Sequence, residues 1–400
     1  MTDTSSSTRV LRLRLKDRHA PKLREMAGAV NLVWNFCNEL SFRVLQREHR
    51  WASSAELQRY LNGASKEGLA VGSAVFQQVA EEYVTRRRQF KKAKLRWRVS
   101  NPQRSNYSLG WIPFKTRSLA YRAGQVVFQG VKLSLWDSYG LADYELGSGS
   151  LSEDARGRWY LNVCVKVKKQ AQALDRTAVN ASAVGIDLGL KDFLASSDGA
   201  KVEAEQFYRD LEPALARSQR AGRKDRTRAI HAKIANRRKD FLHKLSTRLV
   251  KNHRAIFVGD VDAQKLSQTR MAKSVLDAGW STFRTMLQYK CDDAGVWFKP
   301  IDEKFSTQEC SCCGARAGPK GLAGLGTREW TCSVCGAKHD RDTNSASVIK
   351  ARGLVWLEKE FSAAVEARAV EAAVNEVAGA QALVAAAPGH GRPNVGIPVL

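Results

Sequence analysis

Hydrophobic and polar positions change their period several times along the chain, and each change marks an element. Residues 8–16, "TRVLRLRLK", alternate apolar and basic side chains as a half-exposed strand does. The next stretch, "APKLREMAGAVNLVWNFCNELSFRVLQREH", repeats its apolar positions at helical spacing. Short strand-like runs follow at "QVVFQGVKLSLW" and "RWYLNVCVKVKK", and the polar "QAQALDRTAVNASA", at about 170 to 183, has the composition of a linker. Beyond it, "AVGIDLGLKDFLASSDGA" predicts a hydrophobic strand, a glycine-containing turn and a second strand. A long basic amphipathic helix is expected from about 213 to 250, then the buried strand of "RAIFVGDVDAQKL", which runs straight into Gly259-Asp260. The helix "TFRTMLQYKCDDAG" and the strand "VWFKPIDEKF", holding Asp302 and Glu303, complete the pattern. Strands alternating with helices indicate an α/β core. The last 50 residues begin as a helix, then turn Ala-rich and finally Pro- and Gly-rich, as a flexible tail would.

Charge changes the picture next. The 400 residues are 44% hydrophobic, enough to bury a large core in more than one domain, yet 65 Lys and Arg face only 40 Asp and Glu. A formal charge of +25 suits a polyanion far better than a small neutral substrate. No apolar run approaches the ~20 residues of a spanning helix, and "MTDTSSSTRV" has no apolar signal region, so a cytosolic location and reduced cysteines are expected. Nucleic acid is the leading partner. Basic residues and aromatics interleave from 81 to 122, where Arg86, Arg87, Arg88, Lys91 and Lys92 can pair with phosphates and Trp97 and Trp111 can stack on bases.

Two sets of residues point to metals. Cys310 and Cys313 form one CxxC and Cys332 and Cys335 a second, with eighteen residues between, the spacing of a four-cysteine zinc ribbon. Cys312 is then a spare thiol, while Cys37, Cys164 and Cys291 have the setting of core cysteines. Asp187 lies within an apolar strand, where burial costs several kcal/mol unless a cation takes up the charge. Asp342 opens the helix of "HDRDTNSASVIKARGL", where it can cap the helix or bind a metal. His339 and His390 are isolated histidines, a setting more typical of surface groups than of ligands.

"GIDLGLKDF", "RRKDFLHKLSTRLV", the double CxxC and "HDRDTNSASVI" occur in the order seen in TnpB, the transposon-encoded ancestor of type V CRISPR effectors, and the chain resembles that family strongly over about 180 to 352. The resemblance implies a multidomain α+β protein: a wedge β-barrel (1–45 and 115–178) with an inserted helical recognition lobe (46–114), then an RNase H-like RuvC α/β domain (179–305 and 338–360) with an inserted zinc ribbon (306–337), and a tail (361–400). It implies an RNA-guided DNA endonuclease of a transposable element that needs structural Zn2+, catalytic Mg2+ and a guide RNA from the transposon end. Its target would be double-stranded DNA beside a short flanking motif read by protein, in the prokaryotic cytosol at the nucleoid.

By motif position the first and last family aspartates fall on Asp187 and Asp342, but the usual strand-end glutamate falls on Gly259. Two divalent ions about 3.5–4 Å apart need more oxygen ligands than two aspartates supply. Asp260 should look to the opposite face of its strand, whereas Glu303 ends the neighbouring strand, within reach at its ~4.8 Å spacing. Glu303 is therefore expected to complete the Mg2+ set with Asp187 and Asp342. A guided repressor without cleavage would keep the basic lobe and the ribbon while shedding ligands, and the retention of both aspartates argues against it. A zinc-ribbon DNA-binding protein that uses no RNA would not need the carboxylates.

Overall fold

The computed structural model describes residues 6–64, 68–172, 175–262, 266, 268, 272–321 and 323–385. It divides into two compact units, Met1–Lys169 with Glu212–Lys233, and Gln170–Leu211 with Ile234–Leu400. The first boundary coincides with the start of the polar segment at 170.

The first unit contains an antiparallel sheet of β1 (Ser6–Arg14), β2 (Trp111–Phe114), β6 (Leu146–Glu153) and β7 (Trp159–Lys168), in the order β1-β7-β6-β2. Alternation builds it: Leu11 and Leu13 point to the core opposite Val163 and Leu161, while Arg12 between them stays exposed. A meander of β3 (Leu119–Arg122), β4 (Gln125–Phe128) and β5 (Val131–Ser134) and the helices Ala20–Glu48, Ser54–Tyr60 and Ser73–Phe90 pack around the same core. Cys37 is buried there, but Cys164 is only half-buried, because its place in β7 puts it on the outward face.

The second unit is built on one sheet of β8 (Ala183–Leu188), β9 (Asp192–Ser196), β10 (Lys201–Glu203), β11 (Ala255–Gly259) and β12 (Trp297–Ile301), in the order β10-β9-β8-β11-β12. The first three pair antiparallel, and β8, β11 and β12 run parallel. Such parallel strands are covered on both sides, which is why their sequences are continuously apolar. Val184, Ile186, Ile256, Val258 and Phe298 pack with Leu242, Leu245, Phe283 and Leu287 of the helices Lys224–Asn252 and Trp280–Ala294. Ala183, Ala255, Phe257, Trp297 and Ile301 face Ile349 and Leu357 of the helix Arg341–Ala385. That second contact is backbone-close: a Cβ at Gly185 would collide with the carbonyl of Ala346, and one at Gly353 with the ring of Phe257.

Four expectations need correction. The polar linker contains a short helix, Arg176–Ala181, because Asp175 caps it by accepting from the Ala178 N–H at 3.0 Å. The basic helix is two helices, Glu212–Arg220 and Lys224–Asn252, parted where Gly222 turns left-handed at φ 64°. The strand before Glu303 stops at Ile301, so Asp302 and Glu303 lie in the turn beyond it. The expected tail from 361 is helical as far as Ala385, in keeping with its alanine content, and residues 386–400, His390 among them, lie outside the described residues. No described helix is long and apolar enough to cross a membrane.

Candidate active site and metal centre

Strand parity decides which carboxylates meet. Asp187 shares a face of β8 with Ala183 and Gly185, toward the helix Arg341–Ala385. Gly259 shares the same face of the sheet with Ala255 and Phe257 on β11 and pairs with Ile301 on β12. Glu303 stands two residues past Ile301, and its chain returns to that face: Oε2 lies 2.6 Å from the point a Cβ at Gly259 would occupy. Asp260 turns the other way. It pairs with Arg284 on the helix Trp280–Ala294, which covers the opposite face.

Burial, reinforced by the charges of Glu303 and Asp342, pushes Asp187 up to about 7. The Ser345 hydroxyl donates to its Oδ1 at 3.1 Å. Burial, then the neighbouring Asp260, also pushes Glu303 up to about 7, while Arg284 pulls in the opposite direction. The Glu303 carboxylate has no hydrogen-bond or ion-pair partner among the described residues. Buried carboxyls held above their ordinary range without a cationic partner suit a divalent ion, which favours the ionised form. Asp342, in the first turn of its helix, holds Arg328 at 2.7 Å, a pair that an incoming cation must share or displace. Asp187 thus lies within electrostatic reach of both Glu303 and Asp342, while Asp260, which also acts on Glu303, is paired with Arg284.

The cysteines form a tighter cluster. The sulfurs of Cys310, Cys313, Cys332 and Cys335 lie within 4.8 Å of one another, the only such group of potential ligands among the described residues. Each CxxC closes the same loop. The N–H of Gly314 donates to Cys310 O at 2.8 Å and that of Gly336 to Cys332 O at 2.9 Å. Both glycines are left-handed, at φ 75° and 74°, a conformation that a side chain would strain. The hairpin of β13 (Glu329–Thr331) and β14 (Lys338–Asp340) flanks the second loop. Backbone N–H groups of Val334 and Cys335 point at Cys332 and hold its thiol down at about 6. Four converging sulfurs, with amides already aimed at one of them, fit a tetrahedral ion such as Zn2+. His339 touches Cys310 Sγ at 3.0 Å beside this set, and Cys312 points to solvent.

These residues fall within matches to two family models. A family model described as a probable transposase (OrfB_IS605) matches residues 162–270, and the Cas12f1-like TNB domain matches 280–349, the stretch holding Glu303, the four cysteines and Asp342. A Streptomyces pristinaespiralis protein provisionally named "RNA-guided DNA endonuclease" is 32% identical over 84% of this chain and 87% of its own length. The chain belongs to the TnpB family. A second TnpB-family relative, InsQ of Escherichia coli (strain K12), with the same provisional description, is 27% identical over 49% of this chain and 54% of its own length. A solved structure of a Cas12f1–sgRNA–target DNA complex shares the fold, with TM-score 0.54 and 11% identity over 86% of this chain and 99% of that one.

In this TnpB-family chain the basic and aromatic stretch is not one surface. Arg88, Lys91 and Lys92 are exposed, and so is Trp97, with Lys94 over its ring at 5.3 Å. Arg86 is exposed but paired with Glu82 at 2.6 Å. Arg87 is no phosphate ligand in this fold: it is 3% exposed, donating to Ser41 Oγ and, at 2.9 Å, to Ala52 O. Helical period explains this, since Arg87 follows Tyr83, Ala80 and Phe76 along the buried stripe. Trp111 is half-buried, edge-on to Trp34 at 6.3 Å. Reading by residue type alone also passed over Gly185, Gly353, Arg328 and Arg352.

Proposed function

We propose that this chain is an RNA-guided DNA endonuclease whose catalytic glutamate has moved from the end of β11 to the turn after β12. The observation that carries the reading is the placement of Glu303 in the space over Gly259, on the face of the sheet that bears Asp187. In this reading the second unit is an RNase H-like RuvC domain with an inserted zinc ribbon held by the four cysteines, and the first unit supplies the wedge and the recognition lobe. The guide RNA would come from the transposon end and pair with the target strand, while protein reads a short flanking motif, with the chain acting at the nucleoid in the cytosol. The relatives' names and the family match support the class of activity.

The chemistry follows from the residues. Mg2+, when bound, supplies an activated water and charge neutralisation at the phosphate. Asp187, Glu303 and Asp342 would hold the ions, and the apolar sheet and the helix behind them keep the carboxylates from turning outward to water. Ser345 orients Asp187 by its hydrogen bond. Asp260, committed to Arg284, takes no part in the ligand set.

The decisive experiment sequences the RNA that co-purifies with the protein, then offers a matched DNA target with candidate flanks in Mg2+. Guided cleavage that Glu303→Ala abolishes, with guide and target binding kept, supports the reading. Binding without cleavage by the unaltered protein in either Mg2+ or Mn2+ would instead make it a guided repressor.

A further inference from the structure

A ligand on a strand is held by the sheet, whereas a ligand on a turn needs something else to hold it. Glu303 sits between Asp302 and Lys304, past the end of β12, and the next residues bend sharply, with Phe305 left-handed at φ 64°. Among the described residues, Ser345 and Asn344 of the helix that carries Asp342 meet Ser306 just past this turn, and Arg352 of the same helix reaches the residues that bracket Glu303. Arg352 Nη1 donates to the carbonyl of Asp302 at 2.7 Å and to that of Lys304 at 3.0 Å, the two carbonyls that bracket Glu303. Its Nη2 is anchored on Glu309 Oε2 at 2.7 Å. The planar fork of the guanidinium makes all three bonds at once, which a lysine cannot do in that geometry.

We propose that Arg352 is the positioning residue of the relocated glutamate, fixing the Asp302–Lys304 turn to the helix of Asp342 so that the Glu303 carboxylate stays over Gly259. The inference rests on Glu303 being a metal ligand. It adds that the ligand's geometry is set from the Asp342 helix and not from the strand. Arg352 does not touch the reacting atoms. Its effect on the metal passes through Glu303, and this separates it from a residue that merely stabilises the unit.

The test is a Mn2+ titration of the full chain with its co-purified RNA, following free Mn2+ by electron paramagnetic resonance, on the unaltered protein, E303Q, R352Q, R352K and the double variant E303Q/R352Q. Arg352→Gln should weaken Mn2+ binding by about 10- to 100-fold, the range found for groups that orient a ligand. R352K should recover part of the loss, and the double variant should be no weaker than E303Q alone, because both changes remove the same ligand. Glu309→Gln, which leaves Arg352 in place but removes its anchor, should give a smaller loss in the same direction and tests the idea should R352Q fold poorly. Additive losses in the double variant, or unchanged affinity in both R352Q and E309Q, would overturn the proposal while leaving Glu303 as a ligand. Unchanged affinity in E303Q would remove the reading on which it rests.

Discussion

Glu303 and Gly259 compete for one volume: the glutamate's Oε2 lies 2.6 Å, and its Cβ 3.5 Å, from where a Cβ at 259 would stand. Any side chain at 259 must therefore push Glu303 aside. Gly259→Ala should lower guided cleavage at least tenfold with little loss of target binding, as a misplaced ligand costs that much. Glu303→Ala should abolish cleavage, and Asp260→Ala should keep a substantial part of it. The paired change Gly259→Glu with Glu303→Gly returns a carboxylate to the strand without the clash, and should recover cleavage that neither single change allows. Cleavage rates on a matched duplex check all four, and activity lost only with Asp260 would reverse the assignment.

Acidity gives a second check. Asp187 and Glu303 sit at about 7 in the fold but ionise near 4 in an unfolded chain. Their native forms therefore hold protons that the unfolded chain has already released. The corresponding stability is fully present below about pH 4 and is lost as pH rises through 7. Protein stripped of Mg2+ but retaining zinc should melt at a lower temperature at pH 8 than at pH 5.5, and Asp187→Asn should flatten that slope. Added Mg2+ should raise the melting temperature more at pH 8, because ligands must shed their protons to bind it. Equal gains at both pH values would contradict a carboxylate metal site here.

Elemental analysis of the purified protein should find a single zinc per chain. Replacing any one of Cys310, Cys313, Cys332 or Cys335 by Ser should release it and destabilise the ribbon, since structural zinc contributes folding free energy directly. Cys312→Ser should keep the metal. Zinc retained in the four ligand variants would leave the cluster without a role.

The arginines of the helix Ser73–Phe90 should separate by burial. Replacing Arg88, Lys91 and Lys92 with Ala should weaken nucleic-acid binding and reduce the salt slope by about one unit for each phosphate that is no longer neutralised. Arg87→Ala should leave the slope unchanged and lower the melting temperature instead, because it orphans the buried partners Ser41 and Ala52. A changed slope for Arg87 and none for the other three would reverse the assignment.

Much of this was legible in the residues. A period of two locates β1 and β7, near-continuous apolar runs locate β8 and β11, and a period of 3.6 locates the long helices, because one-sided burial leaves an alternation and complete burial leaves a run. Parity along β11 already separates Gly259 from Asp260. The turn beyond Ile301 was not legible: the strand already holds the polar Lys299, so two acidic letters after Ile301 do not mark its end, and the pairing of Gly259 with Ile301 shows where it stops. The buried Arg87 was missed because a run of three arginines reads as one charged face until its helical phase is known. Arg352 was invisible for a different reason, since its partners are main-chain carbonyls, which have no letter in a sequence.

Gly185 and Gly353 let the helix Arg341–Ala385 lie directly on β8 and β11, main chain against main chain and ring. The contact at Gly185, main chain on main chain, cannot be relaxed by a change of rotamer, so the helix that carries Asp342 has little room to rise off the strand that carries Asp187. In the proposed reading, where Asp187 and Asp342 hold Mg2+, an enlarged residue at 185 or 353 would lift the helix, widen the gap and shift preference toward the larger Ca2+, whose coordination is longer and more forgiving.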